Sequence, residues 1–336
     1  MATFETSLKS RLIYVFAIPD EWHKDCLKVG ETTLEEDDGN FPLPNSEVLN
    51  KAACDRIDQY TKTAGIAYNL LHTEMTVFFK GGTISSFNDK QVHSVLERSG
   101  VKKKTFDTVK GANEWFCCDL ETVKKAIHAV KNGRNSLNAS DISYTQTPII
   151  FRPEQQAAID KTKKQFKKGA QMLWNAKMRF GKTLCALRVA RDLEMRRTII
   201  LTHRPVVDES WFEDFGKIFY DRTDYHYGSR TKGEDFTSLE RLAKKGDRYV
   251  YFASMQDMRG AQLVGGKFDK NNEVFSTDWD FLIVDEAHEG TRTELGESVI
   301  KELTKANTKV LKLSGTPFNL LDDYTDCLLY TSDAAD

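Results

Sequence analysis

An α/β fold, with a parallel sheet sandwiched by helices and a small α+β domain in front of it, is what this sequence predicts. From residue 149 onward the apolar runs AQMLWNA, RTIILTH, YVYFASM, DFLIVDE and KVLKLSG alternate with helix-like stretches. That is the rhythm of strands buried on both faces. Ahead of it lies NGRNSLNASDISYTQTP, rich in Gly, Ser, Asn and Thr, which reads as a linker. The 336 residues leave room for about two ordinary domains. The expected division is therefore a domain over 1–132, a linker over 133–148, the α/β domain over 149–325 and a tail over 326–336.

Within the first domain, RLIYVFAIPDEWHKDCLKVGET reads as two short strands, Leu12–Ile18 and Leu27–Gly30, joined by a turn at Pro19-Asp20. The loop EEDDGNFPLPNSE leads into a helix near Val48–Tyr60. Further on, DLETVKKAIHAVKNG has Asp119 as N-cap and Gly133 just past its end. Its apolar positions Leu120, Val123, Ile127 and Val130 are spaced to bury one helix face.

Composition excludes several classes. At 40% hydrophobic and 29% charged residues, the chain is expected to be soluble and globular. A net charge of -2 exerts no global pull on nucleic acid, so any such contact rests on a local patch. The six cysteines show no CxxC pair or metal-finger spacing, which speaks against a disulfide framework and for a cytoplasmic location. His23 and Cys26 could share a metal ion, but two lone ligands beside a turn read more simply as surface residues. No apolar run approaches the roughly 20 residues of a membrane span, and MATFETSLKSR lacks the apolar core of a signal peptide.

The chemistry concentrates at the ends of the apolar runs, where open α/β sheets bind ligands. NAKMRFGKT, residues 175–183, ends like a phosphate-binding loop, with Ala176 where glycine usually stands. A strand, then Gly181-Lys182-Thr183, then a helix is the context such a cradle needs. Amides at the helix start face the phosphates, Lys182 reaches the β- and γ-phosphates, and the Thr183 hydroxyl can ligate Mg²⁺. Lys177 and Arg179 read either as phosphate contacts or as solvated loop cations. FLIVDEAHEG then ends a strand in Asp285-Glu286-Ala287-His288. There Asp285 would hold Mg²⁺ and Glu286 would polarise the attacking water. A charged turn after a buried strand explains one acid, not the ordered quartet. A third strand ends in Ser314-Gly315-Thr316-Pro317.

With AKMRFGKT, VDEAH and SGTP in this order, the chain resembles superfamily 2 helicases and translocases of the DEAH-box kind, including the motor subunits of restriction enzymes. FRPEQQAAI resembles that family's adenine-recognition segment through Arg152 and Gln155. LTHRPVV (Thr202, His203, Arg204) and FASMQDM (Ser254, Gln256) resemble its strand-tracking motifs. The resemblance spans about residues 149 to 322. It implies a RecA-like lobe that binds ATP with Mg²⁺ at Lys182, Thr183, Ser314 and Thr316. Hydrolysis would be coupled to movement along DNA, with RNA as the alternative, in company with a specificity or methyltransferase subunit. In this family a second lobe completes the ATP site, and the chain ends soon after the third motif. The closing CLLYTSDAAD resembles translated adapter read-through, so the sequence is expected to be a fragment with a non-native tail, binding and hydrolysing ATP poorly. A P-loop kinase or other metabolic NTPase is the distant alternative, and the VDEAH and SGTP motifs argue against it.

The strand pair carrying Ile13-Tyr14 and Lys28-Val29-Gly30 resembles the GIY-YIG nuclease fold, in its phage-type subfamily where the second tyrosine is often lysine. CDRIDQY places Arg56 at the catalytic-arginine position, and FNDKQVHSVLERSGV followed by NEWF resembles the later helix and closing strand. The resemblance implies that Tyr14 helps activate water, Arg56 neutralises phosphorane-like charge and a carboxylate holds one divalent cation. The family's glutamate is absent. Among Asp89, Gln91 and Glu97, Asp89 is the first choice, one turn before His93. The plainer readings are a packing tyrosine at 14, a solvated arginine at 56, a Glu114-Trp115-Phe116 segment that is core, and a domain that binds DNA without cutting it.

Overall fold

The computed structural model describes residues 10–34, 41–106, 114–141, 149–177, 179–203, 205–287, 294–315 and 329–331. The chain divides into two compact units, Met1–Leu137 and Asn138–Asp336. Among the described residues no helix is long and apolar enough to cross a membrane.

The first unit runs β1 (Arg11–Ala17), β2 (Leu27–Thr33), α1 (Glu47–Thr61), β3 (Asn69–Met75), β4 (Val77–Lys80), β5 (Thr83–Ser86), α2 (Asp89–Arg98), β6 (Trp115–Phe116) and α3 (Leu120–Lys131). Its sheet has the order β3-β1-β2-β6 with antiparallel neighbours, and β4 and β5 form a separate hairpin. Five successive residues of β1 are buried because the central strand is covered on both faces. Leu12, Tyr14, Phe16 and Trp115 pack against Leu49, Ala53 and Ile57 of α1. Since side chains alternate along a strand, Val29 and Phe116 face the other way, where the His93 ring of α2 meets Phe116. Asp119 caps α3 as expected, its Oδ1 accepting from the Thr122 amide at 2.7 Å. Asn88 and Gln91 close a reciprocal capping box on α2.

Several expectations needed correction. β2 continues to Thr33, three residues past Gly30. The neighbour of β1 on its other side is β3, whose sequence NLLHTEM mixes polar and apolar residues too evenly to announce a strand. Cys26 is not a surface residue: it is 3% exposed beneath the sheet.

The second unit comprises α4 (Pro153–Phe166), β7 (Gln171–Asn175), α5 (Lys182–Asp192), β8 (Arg197–Thr202), α6 (Asp208–Phe219), β9 (Tyr225–Gly228), α7 (Phe236–Ala243), β10 (Arg248–Ser254), α8 (Met255–Arg259), α9 (Asn272–Ser276), β11 (Phe281–Asp285), α10 (Glu294–Leu303), β12 (Lys309–Ser314) and β13 (Leu329–Thr331). Among the described residues its sheet is seven-stranded in the order β13-β7-β12-β11-β8-β10-β9, and every neighbouring pair is parallel. β13, inside the stretch expected to be foreign to the fold, pairs with β7. Met172, Trp174, Ile200, Ile283 and Leu313 pack under α4, α5 and α6. Their neighbours Leu173, Ile199, Leu201, Leu282 and Val284 pack under α7, α8, α9 and α10. Helices thus cover both faces, as continuous apolar strands require.

Trp174 is fully buried, and its Nε1 donates to Thr162 Oγ1 at 2.8 Å. Trp174→Ala is expected to destabilise the second unit by about 3–5 kcal/mol, read from the shift in its urea midpoint. Trp22, 70% exposed, is the control, and Trp22→Ala should stay within about 0.5 kcal/mol of the parent.

Candidate active site

In the second unit the strand tips meet in register. Ser314 of β12 is opposite Asn175 of β7, Asp285 of β11 is opposite Thr202 of β8, and Thr202 is opposite Ser254 of β10. Two further backbone bonds extend this edge. The Ala176 amide donates to the Ser314 carbonyl at 3.0 Å, and the Ala287 amide to the Leu313 carbonyl at 2.9 Å. The loops after β7 and β11 are therefore tied to the same strand end.

The loop after β7 turns into α5 at Gly181, whose φ of +86° places it in the left-handed region that favours glycine. A Cβ there would stand 2.8 Å from Gln155 Nε2. Gln155 Nε2 and Arg152 Nη2 both donate to the Phe180 carbonyl, at 2.6 and 3.1 Å, so α4 braces the loop from outside. Ala176 is fully buried, consistent with a position that accepts only a small side chain. Lys182 opens α5 and folds back over the loop, with its Nζ donating to the Ala176 carbonyl at 3.2 Å and lying 3.7 Å from Glu286 Oε1. A Cβ on Gly315 would lie 3.5 Å from the same Nζ, so all three expected motifs reach one ammonium group. Thr183 sits beside Lys182 in the first turn of α5, half-buried. Arg179 and Glu286 are non-glycine residues with φ of +64° and +50°. Strain of this kind persists only where surrounding structure over-determines the backbone.

Asp285 is the electrostatically stressed group. Burial, together with the neighbouring Glu286 carboxylate, raises its pKa above the ordinary aspartate value, against the pull of a Trp211 hydrogen bond and Lys182. Trp211 Nε1 donates to Asp285 Oδ2 at 3.3 Å, and the Glu286 amide to Oδ1 at 3.0 Å. A desolvated carboxylate with a second carboxylate next to it suits a hard divalent cation. Trp211 was not anticipated, because a tryptophan inside a helix gives no sign in sequence of which strand tip it will reach.

Along the same edge, Thr202 is buried, and His203 Nδ1 is buried with no hydrogen-bond partner among the described residues. Ser254 caps α8, accepting from the Asp257 amide at 3.1 Å. Gln256 is exposed. Ser254 and Gln256 line a cavity of about 380 Å³ with Arg230, Thr231, Asp257 and Lys270. Thr316 and Arg204, like His288 and Pro317, lie outside the described residues.

In the first unit, Tyr14 is 3% exposed, and Tyr60 and Arg56 are the polar groups that act on its hydroxyl. A Cβ on Gly30 would sit 2.7 Å from that hydroxyl, so only glycine lets Tyr14 lie flat across β2. Burial raises the Tyr14 pKa, opposed by Tyr60 and Arg56. Lys28 Nζ stands 4.6 Å over the Tyr60 ring and 3.4 Å from Glu114 Oε2. Trp115 and Phe116 are core as expected, but Glu114 belongs to this polar cluster. Tyr60 and Glu114 were therefore missed by the sequence reading. Asp89 is not among the groups around Tyr14. It opens α2, which covers the face of the sheet opposite Tyr14, and its amide donates to Glu31 Oε2 at 3.3 Å. Glu31 and Arg56 share the lining of a cavity of about 660 Å³.

A family profile described as type III restriction enzyme, res subunit, matches residues 148–319, just over half of the chain. The chain belongs to this family. The match covers every strand tip described above in the second unit. A putative type II restriction enzyme and methyltransferase C-terminal protein of Mycoplasma pneumoniae is 28% identical over 162 residues, 46% of this chain and 22% of the relative. The chain thus spans about a fifth of the length of that relative. Among solved structures, the SWI2/SNF2 ATPase core of Sulfolobus solfataricus in complex with dsDNA superposes with a TM-score of 0.40 at 15% identity, over 56% of this chain and 36% of that one. The UvsW helicase from bacteriophage T4 gives 0.38 at 14% identity, over 63% and 77%.

The raised pKa of Asp285 has a signed consequence. An ionised carboxylate held above its unfolded pKa costs stability at neutral and alkaline pH, and the cost disappears as pH falls through the folded value. Without nucleotide and metal, Asp285→Asn should melt above the parent at pH 8, and the gap should close in acid. A variant melting below the parent at pH 8 would mean that Lys182 stabilises the charged form after all.

Proposed function

We propose that this chain carries the ATP-binding lobe of a DNA translocase of the restriction type, joined to a domain that cuts phosphodiesters. The convergence of the Gly181-Lys182 loop, the Asp285-Glu286 tip and Gly315 on the Lys182 ammonium carries the motor reading. Lys182 would donate to the β- and γ-phosphates, and the amides opening α5 would cradle them. Glu286 would take the proton of the attacking water. Mg²⁺, when bound, would neutralise phosphate charge, with Thr183 and Asp285 as the residues suited to hold it. Arg152 and Gln155, which brace the loop, would also frame the adenine. Ser314 and Thr316 would link the phosphates to the strand edge. DNA would lie along Thr202, His203, Arg204, Ser254 and Gln256, with a specificity or methyltransferase subunit supplying sequence choice.

For the first domain, the Tyr14–Tyr60–Arg56–Lys28 cluster supports a GIY-YIG-like nuclease. Arg56, exposed on α1, would neutralise charge on the scissile phosphate. Asp89 would be the cation ligand that the resemblance implies, whereas Glu31, Glu47 and Asp55 are the carboxylates that line the cavity with Arg56. The burial and raised pKa of Tyr14 favour a second reading, in which this domain binds DNA without cutting.

Lys182→Ala should lower the ATPase rate of the full-length protein by on the order of 100-fold or more. An unchanged rate removes the phosphate-loop assignment. Plasmid nicking with Mg²⁺ should stop in Tyr14→Phe and in Arg56→Ala, while ATPase is retained. Nicking that survives both changes rules out the nuclease assignment, and a parent that binds plasmid but never nicks it supports the binding-only domain.

A further inference from the structure

The first unit brings two cysteines into direct opposition. Antiparallel pairing of β2 with β6 matches Leu27 with Phe116 and Lys28 with Trp115, so the next pair outward is Cys26 with Cys117. The Val29 amide donates to the Glu114 carbonyl at 3.1 Å, marking 29 and 114 as a hydrogen-bonded pair. Pairs alternate along such a ladder, so 26 and 117 fall at a non-hydrogen-bonded site. There the Cα atoms approach to about 4.5 Å and side chains stand closest, within the span a disulfide bridges. The two Sγ atoms lie 3.0 Å apart, and both thiols are free. The backbone around them is already tied down: Cys26 N–H donates to the His23 carbonyl at 3.1 Å and Cys117 N–H to the Lys102 carbonyl at 2.8 Å.

The geometry points to an intramolecular disulfide between Cys26 and Cys117 as a modification site of the native protein, formed by a peroxide or by oxidised glutathione. The two thiols differ in access. Cys117 is exposed and meets the oxidant, whereas Cys26 is 3% exposed. Burial and the neighbouring Cys117 push the Cys26 thiol up to about 12, so it does not react first. With peroxide, the Cys117 sulfur attacks one oxygen and releases water, becoming a sulfenic acid. The Cys26 sulfur then displaces that hydroxyl as a second water. Two thiols and one peroxide yield one disulfide and two waters. Cys118 does not compete. Burial pushes its thiol to about 12, and it lies one residue beyond the position that the β2–β6 register sets opposite Cys26.

The bond would clamp β6 onto β2 and enclose α1, β3 and α2 in its loop. Glu114 sits at the start of β6, so its contact with Lys28 would be held as well. None of this depends on nuclease activity.

The test uses the full chain, reduced, desalted and treated folded with hydrogen peroxide or oxidised glutathione. Before alkylation the intact mass should fall by two hydrogens, and after an alkylating quench non-reducing peptide mapping should join Cys26 to Cys117. Melting of the first unit should rise by roughly 10 °C and return on adding dithiothreitol. Cys118→Ser should behave like the parent. Cys117→Ser, at an exposed position, should fold and lose both the link and the shift. The inference is overturned if Cys117 ends as a glutathione adduct or sulfinic acid with Cys26 still a thiol. A Cys117–Cys118 link, or a Cys26–Cys117 link only after unfolding, overturns it equally.

Discussion

Two backbone hydrogen bonds at the tip of β12 hold the candidate site of the second unit together. Leu313 and Ser314 accept from Ala287 and Ala176, so one strand end carries the acidic loop on one side and the Gly181-Lys182 loop on the other. Neither loop has many ways to reach its position independently. With both ladders extended by one residue, Lys182 and Glu286 come within 3.7 Å, and Gly315 lies against the same ammonium. A register slip of one residue would turn Asp285 to the other face of the sheet. The apolar strands resist that slip because both faces are buried.

The charges gathered there lie close together in a mostly buried site. Asp285 is desolvated and next to another carboxylate, a setting that favours either a proton or a cation. Lys182 is mostly enclosed, with a backbone carbonyl close by and Glu286 at longer range. Both loops also hold a non-glycine residue, Arg179 and Glu286, in the left-handed region. The first unit uses a related device with different residues. Gly30 lets Tyr14 lie against the backbone of β2, and that close approach delivers the hydroxyl to Tyr60 and Arg56.

Much of this was legible in the residues. The five apolar runs announced β7, β8, β10, β11 and β12, because a strand buried on both faces has no polar alternation to hide it. The helix start at Lys182 followed from Gly181, and the α3 cap from Asp119. Short strands whose composition is mixed were not legible. β3, β9 and the β4–β5 hairpin take their identity from neighbours, not from local propensity. Nor could spacing show that Asp89 would open a helix on the face of the sheet turned away from Tyr14.

By itself, then, the sequence determined which chemistry-bearing residues follow which strands and in what order, since loop glycines, a lysine and paired acids leave a local signature. Which of them share a point in space was decided by the tertiary structure. Trp211 on Asp285, Glu114 beside Lys28, and Cys26 opposite Cys117 all arise from pairings between segments far apart in the chain. Strand register and helix packing set such contacts, and no local pattern encodes them.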